Sequence, residues 1–538
     1  MPQVVICQVS LLCLFSAVLA GAQAGPTQAE LTAAQSSHDW LYATHDYSGQ
    51  RYADIKQITP SNARSLRVAC VYQASDLGPF QPHPIVYHGV MYLTTRYATM
   101  AIDAVTCRER WRHSLVPPSG QPTSFGDAIR ALFANRGSAL KDGKLVRGTP
   151  DGRLLALDAS SGTVLWERII ADSSIAEVLT MPPLIFEDLV VIGPAVSEGG
   201  VRGWVGAFRL TNGEPVWKTY TVPAPGEPGS ETWENPEAFK HGGGAVWTPF
   251  SFDPAKGLLF VAAGNPAPDL APQARPGDNL FTNSILALDI RTGARRWHRQ
   301  FVPNDYHDWD LTHAGPLLTT RIGGSRRELI VAAGKDGLLR TVDRSSHEVL
   351  RQVAVTTRSN VEAPITKEGI HACPGFLGGV QWNGPAYNPG TGLLYVPAVD
   401  WCSTLKSADS VEYKPGEGYF GGEPTLDSTT TGTGWLTAVD AVTGQVRWRY
   451  RSDSPMLAAV TTTSGGVLFT GETSGHFLTL DAKDGKVLQR FYTGGPLAGG
   501  IVTYKVGGRQ YVAAASGSLA GFWKRPPGSA TLFVFALP

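Results

Sequence analysis

Ala156-Leu-Asp-Ala-Ser-Ser-Gly-Thr-Val-Leu-Trp166 returns as Ala287-Leu-Asp-Ile-Arg-Thr-Gly-Ala-Arg-Arg-Trp297 and again as Ala438-Val-Asp-Ala-Val-Thr-Gly-Gln-Val-Arg-Trp448. Weaker copies of the eleven-residue element start at Ala101, Ala207, Thr341 and Thr479, which makes seven. Its third-place Asp and seventh-place Gly sit where a tight turn needs a side-chain acceptor and a positive φ. Apolar runs such as Leu258-Leu-Phe-Val-Ala262 precede several copies, where strands belong. The element reads as strand, turn, strand, with Trp on the outer strand. Repeated units of this kind bury their apolar faces only against their neighbours.

The eighth copy is split between the two ends of the chain. Leu66-Arg-Val-Ala-Cys-Val-Tyr72 reads as an outer strand alone, with Cys70 at the tryptophan place. Gly500-Ile-Val-Thr-Tyr504, Gln510-Tyr-Val-Ala-Ala514 and Thr531-Leu-Phe-Val-Phe-Ala536 read as three strands lacking the outer one. Pairing the ends closes a ring and leaves no open sheet edge. The fold expected is all-β: an eight-bladed β-propeller of four-stranded blades with docking tryptophans, closed by N- and C-terminal strands. The 60 Gly and 38 Pro, spread along 538 residues, agree with many short strands joined by turns.

Lys plus Arg and Asp plus Glu both number 46, so the net charge is zero. No basic field recruits nucleic acid or an anionic membrane, and no acidic run marks a disordered tail. Residues 4–20 are almost wholly apolar and lead to Ala22-Gln23-Ala24, a small-x-small cleavage site, although no Lys or Arg precedes them. Residues 1–24 are therefore read as an export signal, 25–38 as a linker and 39–538 as the propeller, with no membrane span once the signal is removed. An uncleaved anchor is the alternative for the apolar run. Removal of the signal leaves four of the six cysteines, Cys70, Cys107, Cys373 and Cys402. In an exported protein these read as two disulfides, with three connectivities open. The absence of Cys-x-x-Cys leaves zinc ribbons, thioredoxin chemistry and a fused c-type haem unsupported.

Successive copies lie 41 to 55 residues apart, except for 80 between Ala207 and Ala287 and 97 between Thr341 and Ala438. Insertions in such arrays fall on one face, often the binding face. The chemistry is expected near these two.

The element, the blade count and several local motifs resemble those of the pyrroloquinoline quinone (PQQ)-dependent alcohol and methanol dehydrogenases. The resemblance runs from about Asp39 to Pro538 and includes Gly49-Gln-Arg-Tyr-Ala53 with Gln57-Ile-Thr-Pro60, and His83-Pro-Ile-Val-Tyr-His-Gly-Val-Met-Tyr92. It implies calcium ligation by Glu198 in Ser197-Glu-Gly-Gly-Val-Arg-Gly203 and by Asn265 in Ala263-Gly-Asn-Pro-Ala-Pro268. Calcium takes hard oxygen ligands, which a carboxylate and an amide supply. Asp305-Tyr-His-Asp-Trp-Asp-Leu-Thr312 is similar to the family's Trp-Asp segment and implies Asp310 as general base, with Asp308 as the alternative register. Thr312 stands where lanthanide-using relatives carry an Asp, which points to calcium.

By the same resemblance Trp247, in Gly242-Gly-Gly-Ala-Val-Trp247, forms a floor beneath the planar cofactor, and Lys335 sits beside the quinone oxygens. Arg136, Gln81, Thr180, Gln381 and Trp382 take further cofactor contacts. The implied reaction is oxidation of an alcohol, aldehyde or sugar by hydride transfer to PQQ, with Asp310 taking the hydroxyl proton. Lys335, with Arg136, offsets negative charge on the quinone. A separate soluble acceptor such as a c-type cytochrome would receive the electrons in the periplasm or another exported location.

Residues 129–135 depart from the pattern, because alcohol-oxidising relatives carry two adjacent cysteines there and this chain carries none. Relatives form a structural disulfide where Cys373 and Cys402 stand. In the family's fold the eleventh-place Trp packs on the seventh-place Gly of the next element. Cys70 replaces that Trp and Cys107 that Gly, so a Cys70–Cys107 disulfide is expected at this contact. A non-catalytic scaffold built from the same repeat is the competing reading; it has no use for a carboxylate, an amide, a base and a cation around one channel. A hydrolase of this architecture would need a Gly-x-Ser-x-Gly element, which is missing.

Overall fold

A computed structural model describes residues 25–117, 128–129, 134–427 and 432–538. The export signal read at 1–24 and most of the cysteine-free stretch at 129–135 lie outside the described residues. The fold is an all-β propeller. Among the described residues the strands form nine sheets: seven of four strands, one of five and one of three.

Each repeat element supplies the last two strands of a sheet. Ala98–Asp103 and Glu109–Ser114 pair antiparallel so that Ala101 faces Trp111, and the register slips by one immediately after that pair. The same pair and slip recur at Ala156 and Trp166, Ala207 and Trp217, Ala287 and Trp297, and Ala438 and Trp448. The third-place Asp holds the turn: Asp158 Oδ1 accepts from the backbone N–H of Ser160 at 3.0 Å and of Ser161 at 2.9 Å.

Docking between sheets follows one rule. The Trp166 indole donates to the Leu210 carbonyl at 3.0 Å, and Trp111, Trp217 and Trp448 do the same to Ala159, Ile290 and Ala482. The indole face covers the next element's seventh residue, and a Cβ on Gly213 would stand 2.7 Å from the Trp166 ring. Gly213 is at φ +76°, so the close approach and the turn both ask for glycine. His347 takes that place once, stacked 4.4 Å from Trp297. Arg351 and Gln489 replace the Trp and still donate, to the carbonyls of Val442 and Leu66.

At the remaining contact Cys70 and Cys107 form the expected disulfide, with Cα atoms 5.8 Å apart. Cys373 and Cys402 form the second, at 4.5 Å. Arg67–Gln73 pairs antiparallel with Thr531–Ala536, which joins the two ends of the chain in one sheet with Arg509–Ser516 and Leu497–Val506. The stretch read as a linker carries a one-turn helix, Gln28–Thr32, capped by Thr27 and Glu30, and buries Leu31 and Ala34 in the core.

The two long insertions lie together. The first spans the chain between Pro215–Tyr220 and Ser284–Asp289; the second includes the three-stranded sheet Ile370–Ala372, Ser403–Ser407 and Gly422–Leu426. Leu270 N donates to the Phe420 carbonyl at 2.8 Å, linking one insertion to the other. No helix among the described residues is long and apolar enough to cross a membrane.

Candidate functional site

A cavity of about 420 Å³ opens between these insertions, and both line it: Trp247, Asp269 and Leu270 from the first, Phe376, Leu377, Gln381, Trp382 and Phe420 from the second. Its polar end holds Glu198, Asp269, Asp308, Asp310 and Lys335.

Lys335 organises that end. Its Nζ lies 2.8 Å from Asp310 Oδ2 and 2.9 Å from Asp308 Oδ1. The backbone fixes the pairing, since Lys335 N donates to the Asp310 carbonyl at 2.9 Å at the head of the Leu311–Ile322 and Ser325–Gly334 ladder. Burial opposes the Lys335 charge, but the carboxylates of Asp308, Asp310 and Glu198 outweigh it and raise its pKa. Asp310 also accepts from Asn265 N at 3.1 Å. A Cβ on Gly264 would collide with Asp310 Oδ1, so the Gly-Asn pair is what lets that carboxylate approach.

Glu198 sits in the short turn Ser197–Gly199, entered through Val196 at φ +76°. A β-branched residue there is strained, and such strain concentrates at functional sites. Asp308 also adopts the left-handed region, at φ +61°. Asp305 shapes the loop instead, accepting from the N–H groups of His307 and Trp309 at 3.0 and 2.8 Å. Thr312 Oγ1 donates to backbone, to Val380 O at 2.9 Å and Ala333 O at 3.1 Å.

One member of the cluster is missing from the motif reading. Asp269 is buried, and its Oδ1 accepts from Asn265 Nδ2 at 3.0 Å. Carboxylate oxygens of Glu198, Asp269 and Asp308 lie within 4.8 Å of one another. Burial and the neighbouring Glu198 and Asp308 charges push Asp269 well above the carboxylate range; burial does the same at Asp308 and raises Glu198. Asn265 Oδ1 is fully buried with no hydrogen-bond partner among the described residues. Crowded, like-charged oxygen donors with an orphaned amide oxygen fit a hard metal cation.

The cavity wall is aromatic. Arg136 is buried between two indoles, its Cζ 5.2 Å from the Trp247 ring and 4.9 Å from that of Trp382. Gln81 and Thr180 sit behind it, each accepting from its guanidinium at 3.1 Å. Burial lowers the Arg136 pKa to about 9, which keeps it charged at neutral pH. Trp382 is anchored by donation to Ala498 O at 2.7 Å, and the Gln381 amide by donation to Gly378 O at 3.0 Å. Flat rings flanking a cation suit a planar anionic ligand.

Residues 40–358 match the family profile described as glucose/ethanol/alcohol dehydrogenase, beta-propeller domain. Residues 400–525 match that of outer membrane protein assembly factor BamB. The chain is 31% identical to quinohemoprotein alcohol dehydrogenase ADH IIB of Pseudomonas putida, over 94% of this chain and 77% of that protein. It is 30% identical to quinoprotein alcohol dehydrogenase PedH of Pseudomonas putida, over 87% and 84%. Among solved structures, the quinohemoprotein alcohol dehydrogenase from Comamonas testosteroni matches with a TM-score of 0.84 at 28% identity, covering 95% of this chain and 84% of that one. A europium-containing methanol dehydrogenase matches with a TM-score of 0.86 at 26% identity, covering 95% and 100%.

Proposed function

Because the chain belongs to the PQQ-dependent quinoprotein alcohol dehydrogenase family, we propose that it is an exported, calcium-dependent member that oxidises apolar primary alcohols. The observation that carries this reading is the convergence of Glu198, Asn265, Asp308, Asp310 and Lys335 at one end of one aromatic cavity.

Bound there, PQQ supplies a quinone that accepts hydride and the metal a Lewis acid that polarises it. Glu198 and Asn265 would hold the metal, with Asp269 and Asp308 within reach. Trp247, Arg136 and Trp382 would flank the ring system, and Gln81 and Thr180 hold the guanidinium by accepting from it. Asp310, oriented by Asn265 N and Lys335, takes the alcohol's hydroxyl proton. Lys335 holds positive charge where negative charge grows in the reaction.

Most of the remaining wall is apolar, with Leu270, Phe376, Leu377, Phe420, Phe522 and Trp523, and Glu423 is the one further charged residue on it. It would take the tail of a substrate whose hydroxyl lies at the carboxylate end, and would disfavour polyols, whose hydroxyls it leaves unpaired. The sheets are read as eight blades closed by Arg67–Gln73 on the C-terminal sheet, residues 39–538 as one propeller, and residues 1–24 as the export signal. A c-type cytochrome or similar soluble carrier would accept the electrons.

Reconstitution with PQQ and calcium tests the reading. Cofactor uptake should appear in its absorbance, and dye-linked turnover should follow with 1-butanol or benzyl alcohol in preference to glucose or glycerol. No uptake at all would end the dehydrogenase reading.

A further inference from the structure

The motif Gly49-Gln-Arg-Tyr-Ala53 contributes nothing to the cavity described above, yet its arginine is among the largest fully buried side chains of the molecule. Arg51 is 1% exposed, and neither Nη1 nor Nη2 has a hydrogen-bond partner among the described residues. Nor does any carboxylate there form an ion pair with it. Asp46, five residues earlier, accepts instead from Ser48 Oγ at 2.6 Å and Gly49 N at 3.0 Å. Burial lowers the Arg51 pKa only to about 10, so the guanidinium is charged at neutral pH. A buried charge with neither counter-charge nor hydrogen bonds is strongly unfavourable.

The guanidinium lines a second, separate cavity of about 10 Å³, with Thr44, Ser251 and His313 on its walls. That is room for one small species. Ser251–Asp253 and Leu311–Ile322, each the first strand of its sheet, supply Ser251 and His313 to the walls, and Gly384 and Pro385 come from the segment that leads into Ala386–Asn388. Gly384 keeps one wall back, because a Cβ there would strike the His313 ring. His313 brings no second charge. Burial lowers its pKa to about 3, and its Nε2 must carry the proton to donate to the Gln381 carbonyl at 2.9 Å. The site thus offers one cation, unused donors and a space of monatomic size. Water would answer the donors but not the charge.

We propose that Arg51 binds a single monovalent anion of chloride size in this inner cavity. Its occupancy braces the catalytic cavity from below, because His313 connects the anion's wall to Gln381 and, one residue on, to Trp382.

Crystals of the wild-type protein grown in sodium bromide, with data collected at the bromine edge, test it directly. An anomalous peak within hydrogen-bonding reach of the Arg51 Nη atoms is expected; water alone at that place overturns the proposal. In solution, exchanging gluconate for chloride at constant ionic strength should raise the thermal midpoint by about 2–5 °C. The shift should be lost in Arg51→Gln. Where that variant does not fold, the bromide map of the wild-type protein still decides.

Discussion

Lys335 Nζ stands 2.8 Å from Asp310 and 2.9 Å from Asp308, so one ammonium serves two carboxylates on alternate residues of one loop. Replacing it with Met leaves both acids buried without their cation and removes the positive charge from the reacting end. Turnover of the reconstituted enzyme is expected to fall by roughly 10²–10³-fold. PQQ uptake, followed by absorbance, should survive, since Trp247, Arg136 and Trp382 are untouched. Near-normal kcat in Lys335→Met would remove Lys335 from the reaction.

Asp269 and Asn265 form the second testable pair. The Asp269 carboxylate accepts from Asn265 Nδ2 at 3.0 Å, which fixes the amide so that Oδ1 is the atom left unbonded. Asp269→Ala loses a carboxylate and the orientation of the ligand together. Calcium affinity, measured by calorimetry on the metal-free protein, is expected to drop roughly 10–100-fold. Unchanged affinity would take Asp269 out of the metal site.

The legibility of these features in the sequence follows from how local they are. The Asp-to-Gly turn and the Trp four residues later are set within eleven residues and repeated, so both strand pairing and docking could be read from them. Cys70 and Cys107 stand out because each breaks that pattern, at places which the family resemblance puts in contact. Asp269 escaped because it lies four residues past Asn265 in a proline-rich loop, Asn265-Pro-Ala-Pro-Asp269, and only folding of the insertion turns it onto Glu198 and Asp308. Gln81 and Thr180 are expected as cofactor contacts through the resemblance alone, and their observed place behind Arg136 depends on contacts 55 and 44 residues away in the chain. Arg51 lies in a motif that was visible at once, while its lack of a counter-charge became apparent only with the sheets assembled around it.

The turn aspartates predict acid sensitivity of the fold. At Asp103 and Asp343 partial burial disfavours the charge, yet hydrogen bonds from the turn and from Arg110 or Arg327 outweigh it and bring each pKa to about 2. Hydrogen bonds from Ser160 and Arg296 lower Asp158 and Asp289. A carboxylate lower in the folded than in the unfolded state stabilises above its unfolded pKa, about 3.8. That contribution is lost as pH falls through the folded value. The turns' share of the denaturant midpoint should hold down to about pH 4 and be lost toward pH 2, beneath the earlier decline that begins near pH 6.5 as buried His313, its pKa lowered by burial, resists protonation. Asp103→Asn with Asp343→Asn should start lower at neutral pH and show a shallower decline; an unaltered slope would remove the turns as its source.

The Cys70–Cys107 contact predicts that a disulfide can be exchanged for the contact it replaces. The bond closes a separation of 37 residues, and breaking it by Cys70→Ala with Cys107→Ala should cost roughly 2–4 kcal/mol. Cys70→Trp with Cys107→Gly should recover much of that. Cys107 holds φ +59°, the conformation glycine takes without strain, and Gly162 and Gly213 hold it at +74° and +76° in the equivalent turns. The new indole would donate to the Ala104 carbonyl, already bonded to Tyr504 Oη at 2.6 Å. One carbonyl serves both donors elsewhere in the molecule, since Ala482 O accepts from Tyr395 Oη at 3.1 Å and Trp448 Nε1 at 3.2 Å. Thermal midpoints under oxidising and reducing conditions check this: the wild type should lose stability on reduction of this bond, while the Trp–Gly variant should be indifferent to redox conditions at this contact. A Trp–Gly variant no more stable than the double alanine would mean that this docking contact differs from the Trp–Gly contacts, such as Trp166 on Gly213, in more than its two side chains.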